Sequence, residues 1–458
     1  MKSLMVLGCT SDAGKSVVTT ALCRWFAREG VGVAPFKAQN MSNNARVVEG
    51  GEIGVAQWLQ AKAACVEPDV RMNPVLLKPE ADGRSQVIVR GVVDRALTDT
   101  PRNERHDALW VPMAESYDSL ADEYDLVVIE GAGSPAEINL RDQVNNRMIE
   151  YADAAGLLVS DIERGGSFAH LFGTWSLVPD ATRERLAGFV LNRFRGDPTL
   201  LEPGPQMLTD MTSMACAGVI PALRHDLPHE EGAPGPPSAP LGAPRVVLPR
   251  FPYGSNLDEF HLLNHAADVR WAGGPSLLTG LDPDRDAIIL PGSKHVVADL
   301  EWMRSTGIDQ AILAAARHGV RVIGVCGGAM MLGDRIDDPH GIEGLAASSV
   351  DGLGLVAHST VMGSAKRTDS VEIEAFGAVY SGYEIRFGEL TDDLRFGIDG
   401  NVVVTTVHGL FEHPAFIESI LGVTVEPVLE PTLELLADAV DEHMDVDLLW
   451  RLVENSRA

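Results

Sequence analysis

Five cysteines in 458 residues, scattered with no pairing rhythm, cannot supply a disulfide framework. No CxxC and no Cys/His cluster offers a structural zinc site. Basic charge is scarce as well. The chain has 37 Lys and Arg against 65 Asp and Glu, a net charge of −28. This balance excludes a nucleic-acid or anionic-membrane partner, since both need a basic face. No apolar run approaches the ~20 residues of a membrane helix. The opening "MKSLMVLGC" carries one lysine and a short apolar run leading straight into a glycine loop, so it reads as a first strand and not as a signal peptide. Together these absences predict a protein of a reducing, cytoplasmic compartment. Aromatics make up only 6% against 45% hydrophobic residues, which fits an α/β core filled by Val, Leu, Ile and Ala.

At ~100–200 residues per domain, the chain is long enough for two or three units. Residues 1–224 alternate short apolar runs with helical patterns. "LMVLG" (4–8), "VGVAPF" (31–36), "DLVVIEG" (125–131), "AGLLVSD" (155–161) and "LAGFVLN" (186–192) read as strands, and 15–30 reads as an amphipathic helix stopped by Gly30. Continuous apolar strands between helices predict a parallel sheet covered on both faces. Residues 225–244, crowded with Pro, Gly and acidic side chains, read as a linker. The alternation resumes over 245–458, which reads as a second α/β domain closed by one or two C-terminal amphipathic helices.

"GCTSDAGKS" (8–16) follows a strand and opens a helix, which is the setting of a phosphate loop. Glycines such as Gly8 and Gly14 let the backbone wrap phosphates. Lys15 can neutralise β/γ charge, and the Ser16 hydroxyl can ligate Mg²⁺. Five residues separate Gly8 from Gly14 where the common form has four; the longer loop resembles that of dethiobiotin synthetase and its relatives. Glu130, ending an apolar strand, is a second candidate for Mg²⁺, and Asp12 inside the loop a third. Lys37 in "PFKAQN" is expected at the same sheet edge, where open α/β sheets bind ligands. Asn192 is placed to read an adenine edge.

In "VRVIGVCGGAMMLG" (320–333) a strand runs into Cys326, two glycines and a helix. This is the pattern of a nucleophile elbow, in which glycines relieve crowding at a sharp turn. An inert buried cysteine would give the same letters, and a nucleophile also needs a base. His408 in "VVVTTVHGLFEHP" follows a strand and precedes a glycine, so it can take the thiol proton and return it to a leaving amine. Glu412 is a candidate to orient His408. Gly292 in "ILPGSK" and Gly327 are candidate oxyanion and glutamine contacts through their backbone N–H groups.

The second domain resembles the class I glutamine amidotransferases, whose Cys–His pair releases ammonia from glutamine through a thioester. The chain as a whole, from residue 3 to about 425, resembles the cobyric acid synthase family of cobalamin biosynthesis. The resemblance is carried by "TSDAGKS", "PFKAQNMSNN", "GGEIGVAQWLQAKAA", "MNPVLLKP", "IEGAGSPAEINL", "DIERGGSFAH", "NRFRGD", "LPGSKHVVADLEW", "GVCGG", "GYEIRFG" and "HGLF". It implies a P-loop synthetase domain joined to a glutaminase, with ATP, Mg²⁺ and glutamine as requirements and no protein-ligated cobalt. It further implies a corrinoid substrate, adenosylcobyrinic acid a,c-diamide, amidated at its b, d, e and g carboxylates through acyl phosphates to adenosylcobyric acid. The alternative within the class is cobyrinic acid a,c-diamide synthesis or amidation of another carboxylate, and "FKAQNMSNN" weighs against it. The resemblance lapses at Ala329 and Met330, where family members carry an aromatic residue and a glutamine that in related glutaminases helps hold the substrate. Arg46, Gln57, Gln60, Arg71, Asn73 and Lys78, within 38–90, are expected to contact the acceptor.

Overall fold

The computed structural model describes residues 2–79, 85–139, 144–228, 239–343 and 347–455. The chain packs as two α/β units: residues 1–42, 48–227 and 429–458 in the first, and 43–47 with 228–428 in the second. Residues 229–238 of the expected linker lie outside the described residues. No described helix is long and apolar enough to cross a membrane.

Unit 1 is built on a six-stranded sheet. In chain order its strands are β1 (Lys2–Gly8), β2 (Val33–Phe36), β3 (Leu126–Glu130), β4 (Ala155–Asp161), β5 (Leu186–Phe194) and β6 (Ala215–Pro221). All pairings are parallel, in the spatial order β6-β5-β4-β1-β3-β2. β1 lies between β3 and β4, with Leu4 opposite both Val128 and Ala155. Both faces are covered, so its apolar run is unbroken. Leu4 and Val6 pack with helix α1 (Lys15–Arg28), whereas Met5 and Leu7 pack with the 106–123 helix through Leu109, Met113 and Leu120. Strand β6, half-buried along much of its length, was not legible as an apolar run.

Unit 2 repeats the plan with β7 (Arg245–Pro249), β8 (Asp268–Ala272), β9 (Ala287–Leu290), β10 (Arg321–Val325), β11 (Phe396–Asp399) and β12 (Val402–Thr405). The order is β8-β7-β9-β10-β12-β11, parallel except for β11 against β12. A long hairpin, Ser359–Ala375 with Ala378–Leu390, turns at Phe376 and Gly377, both at positive φ. The sequence reading missed this hairpin and β8.

One boundary differs from expectation. The C-terminal helices α3 (Leu429–His443) and α4 (Val446–Asn455) belong to unit 1, not to the glutaminase-like unit. Leu433, Leu436 and Val440 join the core of Leu22 and Phe26. On its other face α3 sets Glu430, Glu434, Asp438 and Asp441 against Arg24 and Arg28 of α1. Carboxylates spaced three and four apart form one stripe on a helix, and Arg24 and Arg28 form the matching stripe.

Candidate active sites

The loop between β1 and α1 needs its glycines for distinct reasons. Gly14 caps α1 in the left-handed region at φ 95°, and a Cβ there would meet the Asn192 side-chain nitrogen at 2.0 Å. A Cβ on Gly8 would meet the Lys15 Nζ at 2.9 Å, because the lysine side chain lies over that glycine. Asn192 donates from Nδ2 to the Ala13 carbonyl at 3.0 Å, so its amide braces the loop where an adenine contact was expected.

Glu130, at the end of β3, is the convergence point of the site. Ser16 donates to its Oε1 at 3.0 Å and Lys37 to the same oxygen at 2.8 Å, while Gln60 donates to Oε2 at 2.5 Å. Burial pushes this carboxyl up, but Lys37, Lys15 and the Gln60 hydrogen bond hold it below the ordinary carboxylate range. The ionised Glu130 and the Ser16 hydroxyl form a hard oxygen donor pair that fits Mg²⁺. Asp12 is engaged differently from the sequence expectation of a metal ligand. At φ 59° it turns its carboxylate to Arg164 at 2.8 Å and Arg193 at 3.2 Å. Both arginines, and Gln60 as a partner of Glu130, escaped the sequence reading. The arginines had a signal, their position at or just beyond strand ends; Gln60, inside the helix Val55–Ala63, had none.

In unit 2, Cys326 occupies the single residue between β10 and helix α2 (Gly327–Leu332), at φ 50° and ψ −107°. Such a backbone is costly for a residue with a side chain and persists only where the surrounding structure holds it. The close packing explains the glycines after it. A Cβ on Gly327 would meet the Ser293 N at 2.7 Å, and one on Gly328 would meet the Leu290 carbonyl oxygen at 2.1 Å. His408 follows β12, is 1% exposed, and pairs by backbone with Tyr383 of the long hairpin through bonds of 2.8 and 3.1 Å. Gly292 sits against its ring: a Cβ there would lie 2.9 Å from Cε1.

Glu259, which the sequence reading passed over, holds the imidazole. Its Oε1 lies 2.7 Å from Nδ1 of His408, and Oε2 accepts the Gly409 N–H at 2.9 Å. The residue is fully buried in the one-turn helix Leu257–Phe260. Burial disfavours the imidazolium, yet the Glu259 carboxylate and Cys326 beside it push His408 up to about 10. Glu412, expected to orient His408, is instead bonded to Arg46. Met330, 1% exposed, lays its thioether over Gly388 of the hairpin.

The expected acceptor contacts have internal partners. Lys78 pairs with Glu52, Arg71 with Asp69 and Glu123, and Asn73 donates to the carbonyls of Lys37 and Val75. Arg46 is buried within unit 2.

Comparison with known proteins agrees with this division. Residues 4–227 match the family described as CobQ/CobB/MinD/ParA nucleotide binding domain, and residues 245–416 match the CobB/CobQ-like glutamine amidotransferase domain. Over 99% of its length the chain is 47% identical to a cobyric acid synthase of Variovorax paradoxus, covering 99% of that protein, and 45% identical to one of a Polaromonas species, covering 98%. A cobyric acid synthase of Deinococcus radiodurans is 46% identical over 97% of this chain and 98% of its own.

Proposed function

The chain belongs to the cobyric acid synthase family of glutamine-hydrolysing amidating ligases, and from that premise we propose how its two sites divide the chemistry. Unit 1 transfers the γ-phosphoryl group of ATP to a carboxylate oxygen of the corrinoid, releasing ADP and leaving an acyl phosphate. A free carboxylate resists ammonia because oxide would have to leave; phosphate is a far better leaving group. Lys15 and the loop N–H groups bear the phosphate charge, while Lys37 keeps Glu130 ionised. Ser16 and Glu130 would hold Mg²⁺, which would offset negative charge on the phosphates.

Unit 2 supplies the nitrogen. Cys326 gives its proton to His408 and attacks the glutamine amide carbon. His408 returns the proton to the leaving ammonia, then draws one from the water that cleaves the thioester to glutamate. Glu259 holds the ring and balances the imidazolium, the part played by the third member of a triad. Gly292 and Gly327 offer backbone N–H groups to the oxyanion. Ammonia then attacks the acyl phosphate and expels phosphate. The acceptor is adenosylcobyrinic acid a,c-diamide, amidated at the b, d, e and g positions.

The observation that carries this reading is the Glu259–His408 pair beside a strained Cys326, in a chain that also focuses Ser16 and Lys37 on Glu130. The test is mass spectrometry of the a,c-diamide incubated with ATP, Mg²⁺ and glutamine, in parallel with Cys326→Ala given glutamine or ammonium. Stepwise acid-to-amide mass changes, lost in the variant with glutamine and restored by ammonium, are expected. No change with either nitrogen source in the parent would sink the acceptor assignment.

A further inference from the structure

Arg46 lies 199 residues ahead of the matched amidotransferase domain, which begins at residue 245, yet it is packed inside the unit that holds Cys326. Its guanidinium spans three segments. It donates to Asp258 beside Glu259, to Glu412 in the turn after His408, and to the Tyr383 hydroxyl at 2.8 Å. The Arg46 and Asp258 side chains are only 4% and 0% exposed, so this is a desolvated pair and not a surface contact. Two of the three segments touch His408 directly, and the third follows it in the chain. Glu259 bonds its Nδ1, Tyr383 stacks on its ring at 5.4 Å and 21°, and Glu412 follows it by four residues.

The residues before Arg46 add a second clamp on the same turn. Ala45 donates its N–H to the Asn256 side chain at 3.0 Å, and Leu257 donates its N–H to the Asn44 side chain at 3.1 Å. The Asn256 backbone is in the left-handed region at φ 53°, immediately before the one-turn helix that presents Glu259. Segment 44–46 thus fixes both the turn that carries the His408 partner and the ring that covers His408. We propose that Arg46 is a positioning residue of the glutaminase, setting Glu259 and Tyr383 around His408.

This inference rests on the glutaminase reading above. Arginine suits the task because its planar fork reaches several acceptors at once, whereas a lysine ammonium is a single point of charge. Its charge matters as well. His408 is faced by Glu259, Tyr383 and Cys326, and Arg46 bonds Tyr383 together with Asp258 and Glu412, whose carboxylates lie close to Glu259. Removing the positive charge leaves the carboxylates to favour the imidazolium more strongly.

The test uses the full-length chain and follows glutamate release from glutamine between about pH 7 and 11.5, with near-ultraviolet circular dichroism and the thermal midpoint as the measure of an intact fold. In Arg46→Met, kcat for glutamine is expected to fall about tenfold or more with KM changed less than about threefold, and the alkaline limb to move to higher pH. Arg46→Lys is expected to lower kcat while leaving the limb in place. Amidation with ammonium should stay within about twofold in both variants. A merely structural arginine would not move the limb. Should Arg46→Met fail to fold because Asp258 is left buried and unpaired, Arg46→Met/Asp258→Asn removes both charges; its kcat should stay low because Tyr383 and Glu412 still lack their anchor. Parental kcat and limb in Arg46→Met, or parental kcat in the double variant, would overturn the inference. Glutamate release that survives Cys326→Ala would instead overturn the glutaminase reading itself.

Discussion

At the end of β1 the chain spends six residues, Cys9–Gly14, before its helix begins; at the end of β10 it spends one, Cys326. Both turns join a central parallel strand to a helix at the edge where such sheets bind ligands. They are charged in opposite senses. In unit 1 cations surround a carboxylate: Lys37 and Lys15 hold Glu130 below its ordinary range against the effect of burial. In unit 2 a carboxylate holds up a cation: Glu259 pushes His408 to about 10 although burial works the other way. The long turn wraps a polyanion with backbone N–H groups and needs positive side chains nearby. The short turn holds one sulfur in place and needs a proton acceptor. In the function proposed above, the same strand-to-helix junction serves phosphate in one unit and an acyl group in the other, according to turn length and to the charge brought to it.

The largest expected effects separate the two turns by adding one methyl group to each. Gly14→Ala forces a side chain onto φ 95° and puts its Cβ 2.0 Å from Asn192. Displacing the loop by about an ångström should cost on the order of 10²-fold in amidation with either nitrogen source, leaving glutamine hydrolysis measurable. Gly328→Ala drives a Cβ to within 2.1 Å of the Leu290 carbonyl, a backbone atom with no freedom to yield. Glutamine hydrolysis should fall on the same ~10²-fold scale, with ammonium-supported amidation retained. If both variants lost both activities, the two turns would not be the separate sites described.

The two turns also differ in how much of them can be read in the sequence. The phosphate loop is nearly contiguous: Gly8, Gly14, Lys15 and Ser16 fall within nine residues, and the strand ends bearing Lys37 and Glu130 announce themselves as apolar runs. Cys326 and His408 are legible for the same reason. Glu259 is not, because "NLDEF" carries no apolar periodicity and its carboxylate acquires meaning only when the chain returns 149 residues later. Arg46 is harder still, since its own motif pointed to the other unit. The long hairpin that brings Tyr383 was missed because its buried positions include the charged Glu384 and Arg386 while Val379 is exposed, which breaks the apolar–polar alternation. The C-terminal helices were assigned by chain order to the wrong unit. The arginine stripe at 24 and 28 and the acidic stripe from 430 to 441 were the available clue, one that periodicity within a single segment does not reveal.

Glu259→Gln sharpens the electrostatic half of the comparison. The raised His408 contributes stability that is fully present below the ordinary imidazole value of ~6.5 and is lost as pH rises through about 10. The amide keeps the shape but removes the anion, so the alkaline limb of glutamine hydrolysis should fall from about 10 toward the ordinary imidazole range. The rate should drop by about 10- to 100-fold, the usual cost of losing a residue that orients another. Ammonium-supported amidation should not respond, because Glu130 and its lysines belong to unit 1. A limb that stays in place would mean that Glu259 is not what sustains the imidazolium.

The smallest effect is expected where an arginine again gathers several carboxylates, but in water. Arg28 pairs with Glu434, Asp438 and Asp441, its side chain 33% exposed and theirs 46–61%. Arg46, by contrast, pairs with an Asp258 that is wholly buried. Exposed pairs gain little, because water screens them and ordering long side chains costs entropy; about 0.2–1 kcal/mol is typical. Arg28→Ala should therefore lower the denaturation midpoint only slightly, with the loss shrinking further as salt is raised. Glutamine hydrolysis and ammonium-supported amidation should both be unchanged. Leu436→Ala, deleting apolar volume from the same helix contact, sets the scale, since a buried Leu→Ala costs about 2–5 kcal/mol. If Arg28→Ala approached that value, the C-terminal helices would be held to unit 1 by charge and not by their apolar face.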